Sequence, residues 1–153
     1  GCSSLTSIDI PSGVPTIMNG AFSGCSSLTS IDIPSGVTVI GHDAFIGCKS
    51  LTSIEIPSSV TEIGDDAFNG CSNLESIGIT SGVTKIGSDF FRNCSNLQSI
   101  YMQPTIPPTL DLSLLEVFTD CPVIIYVPFD SGDAYRTARG WSKYASRIVE
   151  YSF

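Results

Sequence analysis

The sequence repeats itself every 23 residues, and this period limits what the chain can fold into more than any other feature. Cysteines recur at that offset in five consecutive positions, Cys2, Cys25, Cys48, Cys71 and Cys94. Leucine, isoleucine, valine and phenylalanine keep the same offset, so the unit reads C-x-x-L-x-x-I-x-I-P-x-x-V-x-x-I-G-x-x-A-F-x-x. Self-similarity at a fixed period of about 20 to 50 residues is typical of stacked repeat architectures.

One unit contains two short extended pieces and a turn. In the second unit, Ile31 and Ile33 alternate with polar residues, which predicts a strand with both isoleucines facing inward. Pro34 has no amide hydrogen and ends this strand. A second extended piece runs over 37–40, and a helical or 3-10 turn follows with an aspartate near its N-terminus, where a carboxylate stabilises a helix. That aspartate recurs as Asp43, Asp66 and Asp89.

A single unit cannot fold alone. It buries about six large side chains at roughly 1.5–3 kcal/mol each, whereas each ordered backbone residue costs about 1–2 kcal/mol. Stacked units can share a core, so the predicted fold is a mainly β repeat solenoid with parallel strands. Five repeats are predicted in 1–120: Cys2–Gly24, Cys25–Gly47, Cys48–Gly70, Cys71–Asn93 and Cys94–Asp120.

The C-terminal part departs from the strict period. A proline-rich insert over 104–109 lengthens the fifth repeat to 27 residues. The string at 125–128 resembles the strand of a repeat, so a last strand is predicted there. Two short helical patterns lie around Gly140, and their apolar residues are expected to cover the end of the stack: Tyr135, Ala138, Trp141 and Ile148. Residues 121–153 are therefore predicted to form the last strand and a C-terminal cap.

The repeat resembles that of the BspA-like leucine-rich-repeat proteins, also called the Treponema type. Residues 2–93 match its 23-residue pattern almost without gaps, and 28–33 contain the L-x-x-L-x-L core. The resemblance implies a right-handed leucine-rich-repeat superhelix from a secreted or surface-anchored protein, often of host-associated bacteria, with a role in adhesion. The proline insert and the tryptophan-containing tail are similar to the C-terminal ends of Bacteroides-type members.

Charge argues against two classes of partner. Asp plus Glu number 15 and Lys plus Arg 7, which gives a formal net charge of −8. Nucleic acids and anionic membrane surfaces are bound by basic patches, so neither is an expected partner. No apolar run approaches the about 18 residues of a membrane-spanning helix, so membrane insertion is not expected.

Little in the sequence points to catalysis or metal binding. His42 is the only histidine, and the serines near it belong to the repeat, so we expect a solvated turn residue and no enzyme activity. The cysteine column is expected to hold buried free thiols, because side chains arranged in parallel do not aim at each other as a disulfide requires. Such a column does not converge on a zinc ion either. No cofactor or metal is predicted.

One outward strand position changes its chemistry along the repeats. It holds, in order, Asp9, Asp32, Glu55, Gly78, Tyr101 and Tyr126. The carboxylates are compatible with plain solvation, with docking of basic ligand groups, or with calcium. The tyrosines are compatible with packing against the proline-rich loop or with anchoring a protein or sugar partner. The predicted ligand contacts are Asp9, Asp32, Glu55, Tyr101 and Tyr126.

The predicted function is an extracellular or cell-surface binding or adhesion module that recognises a host or bacterial surface protein or glycan through its exposed strand face. The alternative is a structural spacer or stalk, or an accessory domain without a ligand of its own. The chain opens without methionine or signal peptide, which we interpret as a fragment of a longer protein. An uncapped N-terminal end exposing Leu5, Ile8 and Phe22 would predict self-association there.

Overall fold

The computed structural model describes residues 1–111, 117–118 and 121–153. Successive repeats form the turns of a solenoid, and their strands pair in parallel in two sheets. One sheet contains β1 (Thr16–Ile17), β2 (Val39–Ile40), β3 (Glu62–Ile63), β5 (Lys85–Ile86) and β7 (Thr109–Leu110). The other contains β4 (Ser76–Ile79), β6 (Ser99–Met102), β8 (Ile124–Pro128) and β9 (Ile148–Tyr151). The predicted mainly β solenoid with parallel strands is therefore confirmed.

The register of the sheets follows the sequence period. β1 pairs with β2 through Thr16 and Val39, which are 23 residues apart. In the first turns the four-stranded sheet continues as single parallel bridges rather than full strands. Equivalent positions of successive repeats are thus direct neighbours, which allows each column of the sequence to be read as a row on the molecule. The end of the predicted fifth repeat, 112–116 and 119–120, lies outside the described residues.

The core consists of columns of identical residue type. The phenylalanines form a ladder in which Phe45 stacks on Phe22 and on Phe68 with ring centroids 5.3 Å apart in both cases. Phe91 continues the ladder at 5.7 Å from Phe68. Phe22 is only 9% exposed, so the prediction that it belongs to an exposed N-terminal end is wrong. Its ring is covered because the next repeat stacks directly upon it.

The cysteine column lies beside this ladder. Cys48, Cys71 and Cys94 each donate a hydrogen bond from Sγ to the carbonyl of a phenylalanine in the preceding repeat, at 3.1–3.3 Å. Desolvation by burial raises the pKa of Cys48 to about 11 and that of Cys94 to about 12. The same cause raises the pKa of Cys71 well above its ordinary value. All six cysteines are free thiols, and those in the core are protonated at neutral pH.

The aspartates at the turn play a different part from the predicted one. Asp43, Asp66 and Asp89 have φ values of 56°, 53° and 49°, in the left-handed region. A helix N-cap has an extended backbone, so the predicted stabilisation of a helix N-terminus is wrong. Asp and Asn adopt left-handed backbone more readily than other non-glycine residues. The aspartates instead allow a tight turn, which the carbonyl of Asp43 closes by accepting from the amide of Ile46 at 3.2 Å.

Side chains next to that turn link each repeat to the following one. Asn19 Oδ1 accepts from the amide of His42 at 2.9 Å, and His42 Nδ1 accepts from the amide of Asp65 at 3.0 Å. Asp65 Oδ1 accepts from the amide of Ser88 at 2.7 Å. The side chain of His42 is 55% exposed. It is therefore partly solvated, as predicted, but it also joins two turns of the solenoid.

The C-terminal segment contains α1 (Gly132–Thr137), a 3-10 helix (Trp141–Arg147) and β9. Tyr135 and Trp141 are fully buried and fix the proline-rich loop at two points. The Tyr135 hydroxyl donates to the carbonyl of Pro104 at 2.7 Å, and Trp141 Nε1 donates to the carbonyl of Pro108 at 2.8 Å. Within the described part of the chain, no helix has the length and apolar character needed to cross a membrane.

Candidate functional site

The five predicted contact residues lie in one straight row across the solenoid. Parallel pairing makes direct neighbours of successive residues in this outward row: Asp9, Asp32, Glu55, Gly78, Tyr101, Tyr126 and Val149. Neighbouring strands are about 4.8 Å apart, so the row spans roughly 29 Å from first to last member. The structure thus brings the predicted residues onto one face. Their role as ligand contacts stays a prediction.

One end of the row is an acidic stripe formed by Asp9, Asp32 and Glu55. All three side chains are exposed. Among the described residues, no lysine or arginine lies within ion-pair distance of any of them. The carboxylates stand one per turn in a line. In the described part of the chain no group of three or more His, Cys, Asp or Glu side chains is arranged to hold a metal ion.

The other end of the row is an aromatic cluster formed by Tyr101, Tyr126, Tyr151 and Phe153. The rings of Tyr101 and Tyr126 stack with centroids 4.9 Å apart and planes 11° apart. This spacing matches that of neighbouring strands, so both rings stand upright on the sheet. Tyr151 lies edge-on to both rings at 5.7 and 5.6 Å, and Phe153 lies edge-on to Tyr101 at 6.5 Å.

Sequence reasoning missed Tyr151 and Phe153, which are 45% and 58% exposed. It placed only helical patterns in this segment, whereas β9 adds a further parallel strand beside β8. The alternation of Ile148, Val149, Glu150 and Tyr151 is the signal that could have found this strand. The pairing of Val149 with Tyr126 carries the row one strand further and brings Tyr151 over the tyrosine stack.

A second polar group lies on the other sheet, around His42 and Asp65. His42 Nδ1 is 3.0 Å from Asp65 Oδ2, and the Oγ of Ser88 is buried. A hydrolytic triad needs the histidine between the serine and the carboxylate. Here Asp65 lies between the other two, because the three residues occupy consecutive turns in the order His42, Asp65, Ser88. The arrangement links repeats and does not activate a nucleophile.

Residues 1–124 match the model of the BspA type leucine rich repeat region, in six copies. The match covers most of the chain and includes the turns that carry the acidic stripe and the tyrosine stack. This chain belongs to the BspA-type leucine-rich-repeat family. Leucine-rich-repeat families of this type act in protein interaction, and their solenoid fold is typically not that of an enzyme.

Three solved structures resemble this BspA-type chain. A leucine-rich-repeat protein of Treponema pallidum is 35% identical with a TM-score of 0.73, over 83% of this chain and 57% of that one. A leucine-rich cell surface protein of Faecalibacterium prausnitzii is 32% identical with a TM-score of 0.72, over 88% and 36%. A leucine-rich-repeat protein of Bacteroides ovatus is 29% identical with a TM-score of 0.58, over 86% and 45%.

The chain therefore spans between about a third and somewhat over half the length of these proteins. Among curated proteins, no match was found. One of the structural relatives is described as a cell surface protein, which supports a surface location for proteins of this kind.

Proposed function

We propose that this BspA-type chain is a binding or adhesion module, located at a cell surface or secreted, that recognises a surface protein or glycan through the outward row. The observation that carries the proposal is the aromatic cluster. Tyr151 and Phe153 leave about half of their surface in solvent, next to a tyrosine stack on the same face. Exposed aromatic groups on a rigid support favour binding because few rotamers are lost when a ligand docks.

The rigidity of the support strengthens this interpretation. Tyr101 lies on β6 and Tyr126 on β8, two strands that are paired with each other and with further strands on either side. The inward residues between them, Ile100 and Ile125, are fully buried. The rings therefore stand on a fixed backbone, and a ligand that touches several turns can sum weak contacts along the array.

Catalysis is not part of the proposed function. The one histidine is hydrogen-bonded to backbone and carboxylate of the next turn, and the buried serine of that group is one turn further away. The outward row consists of carboxylates, a glycine, two tyrosines and a valine, and no residue of this row is paired with a base. Its composition suits recognition.

The test is binding of the chain to arrays of host matrix proteins and glycans, with and without calcium. A specific hit should be lost in a Tyr101→Ser, Tyr126→Ser double variant, which removes the stack. Phe129→Ser is the matched control, because Phe129 is also a largely exposed aromatic residue but its ring makes no contact with the cluster in the described structure.

Retained binding by the double variant would show that the cluster is not the site. A silent array would favour the alternative function, a spacer or an accessory domain. Unfolding curves must show that the double variant and the control are equally folded. Both tyrosines are partly exposed, so their replacement should leave the buried columns intact.

A further inference from the structure

The tyrosine stack stops at a glycine, and this leaves one open position in the row. Tyr126 covers one face of the Tyr101 ring. The other neighbour of Tyr101 in the row is Gly78, which presents no side chain. A Cβ placed on Gly78 would meet no atom within 4 Å. The next member of the row beyond Gly78 is Glu55.

The resulting slot has Gly78 as its floor, Tyr101 as one wall and Glu55 as the other. Its walls stand on strands that are two strand spacings apart, or about 9.6 Å. A flat group in van der Waals contact with the ring lies about 3.5–4 Å from it. Such a group would take the place that a side chain at position 78 would fill, and would still be within reach of the Glu55 carboxylate.

The chemistry of the two walls selects a planar cation. The face of a tyrosine ring attracts a cation within about 6 Å of its centroid. A guanidinium group is planar, stacks on aromatic rings and pairs with a carboxylate through two parallel hydrogen bonds. Glu55 has no cationic partner among the described residues, and Asp32 adds negative charge one strand further on.

We propose that the slot formed by Glu55, Gly78 and Tyr101 binds an arginine side chain of a protein partner. This inference rests on the proposed function, since it names the chemistry that the outward row recognises. The guanidinium stacks on the free face of Tyr101 and extends the tyrosine stack by one member. Its edge donates to Glu55, while the rest of a basic segment of the partner follows the acidic stripe.

A pair of peptides tests the charge requirement. The probe is a capped deca-arginine peptide, and its matched control is a deca-citrulline peptide, which has nearly the same shape without the charge. Amide resonances of the chain are followed by NMR during titration in 0.15 M salt. We expect the arginine peptide to shift resonances around Gly78 and Tyr101 and the citrulline peptide to shift neither. Equal binding of the two peptides would overturn the proposal.

Three single variants test the slot itself. Gly78→Leu fills it without touching other atoms, so the fold should be kept while the affinity for deca-arginine falls at least about tenfold. Glu55→Gln should weaken binding by about threefold to tenfold. Asp9→Asn removes the same charge about 14 Å from Gly78, beyond the screening length of about 8 Å, and should change the affinity by less than about twofold.

The outcomes separate this inference from the proposed function. If Gly78→Leu binds deca-arginine as tightly as the unmodified chain, the slot is not the site. If deca-arginine does not bind while an array protein or glycan does, and the double tyrosine variant abolishes that binding, the outward row functions but the arginine assignment is wrong. A silent array together with no peptide binding would overturn both proposals.

Discussion

Replacement of Gly64 by alanine tests how closely successive turns approach each other. Gly41, Gly64 and Gly87 occupy the same position after the second strand of three repeats. A Cβ on Gly64 would lie 2.5 Å from the amide nitrogen of His42 and 2.7 Å from the carbonyl carbon of Gly41. Both atoms belong to backbone, which cannot rotate away as a flexible side chain could. The two turns would have to separate.

The expected cost follows from that separation. Forcing an extra carbon into a close-packed site costs about 1–3 kcal/mol. The Gly64 amide donates to the carbonyl of Ile40 at 2.8 Å, and weakening this hydrogen bond adds about 0.5–1.5 kcal/mol. Restriction of the unfolded chain by alanine returns about 0.4–1 kcal/mol. The net loss in the free energy of unfolding should be about 1–3 kcal/mol.

The assay is urea unfolding followed by far-UV circular dichroism. Gly13→Ala is the matched control, because a Cβ on Gly13 meets no atom within 4 Å. This control should be neutral or more stable by about 0.4–1 kcal/mol, since only the entropy of the unfolded chain changes. If Gly64→Ala unfolds at the same urea concentration as the unmodified chain, or if both variants lose the same stability, the close approach of turns is not what selects glycine here.

Phe45→Ala should lower the free energy of unfolding by about 3–5 kcal/mol, because a fully buried ring stacked on both sides leaves a cavity. Phe22→Ala, at the start of the ladder, should cost less, and equal urea midpoints would contradict this. Burial raises the pKa of Cys94 from 9.0 to about 12, so stability should be full below pH 9 and fall as the pH rises towards 12. Cys94→Ala should show a shallower fall. Tyr135→Phe removes the buried donor to Pro104 and should cost about 1–3 kcal/mol in the same assay.

The repeats could be predicted from the sequence because the period encodes the register. Once two residues are 23 positions apart in a stacked repeat, they are neighbours, and strand alternation decides which face they share. This is why Asp32 and Glu55 could be placed beside each other, and why the structure pairs them directly. The same reasoning identified Tyr101 and Tyr126 as neighbours on the outward face.

Two features could not be predicted in this way, for different physical reasons. Aspartate is favoured both at helix N-termini and in left-handed turns, so residue type alone could not distinguish these roles for Asp43. β9 has no counterpart in the repeat, and its short alternating pattern competes with the helical patterns just before it. Tyr151 and Phe153 reach the aromatic cluster only through the pairing of β9 with β8, which is a tertiary fact.

The outward row also determines how binding should respond to salt. Two carboxylates one strand apart repel each other by about 1 kcal/mol in water, so the acidic stripe holds a standing repulsion. A cationic ligand relieves it in addition to forming its own contacts, whereas the tyrosine stack carries no charge. Ligands that use the stripe should therefore bind less tightly as salt rises, and ligands held by Tyr126 and Tyr151 alone should not. The slope of affinity against salt concentration thus tells which end of the row a given partner occupies.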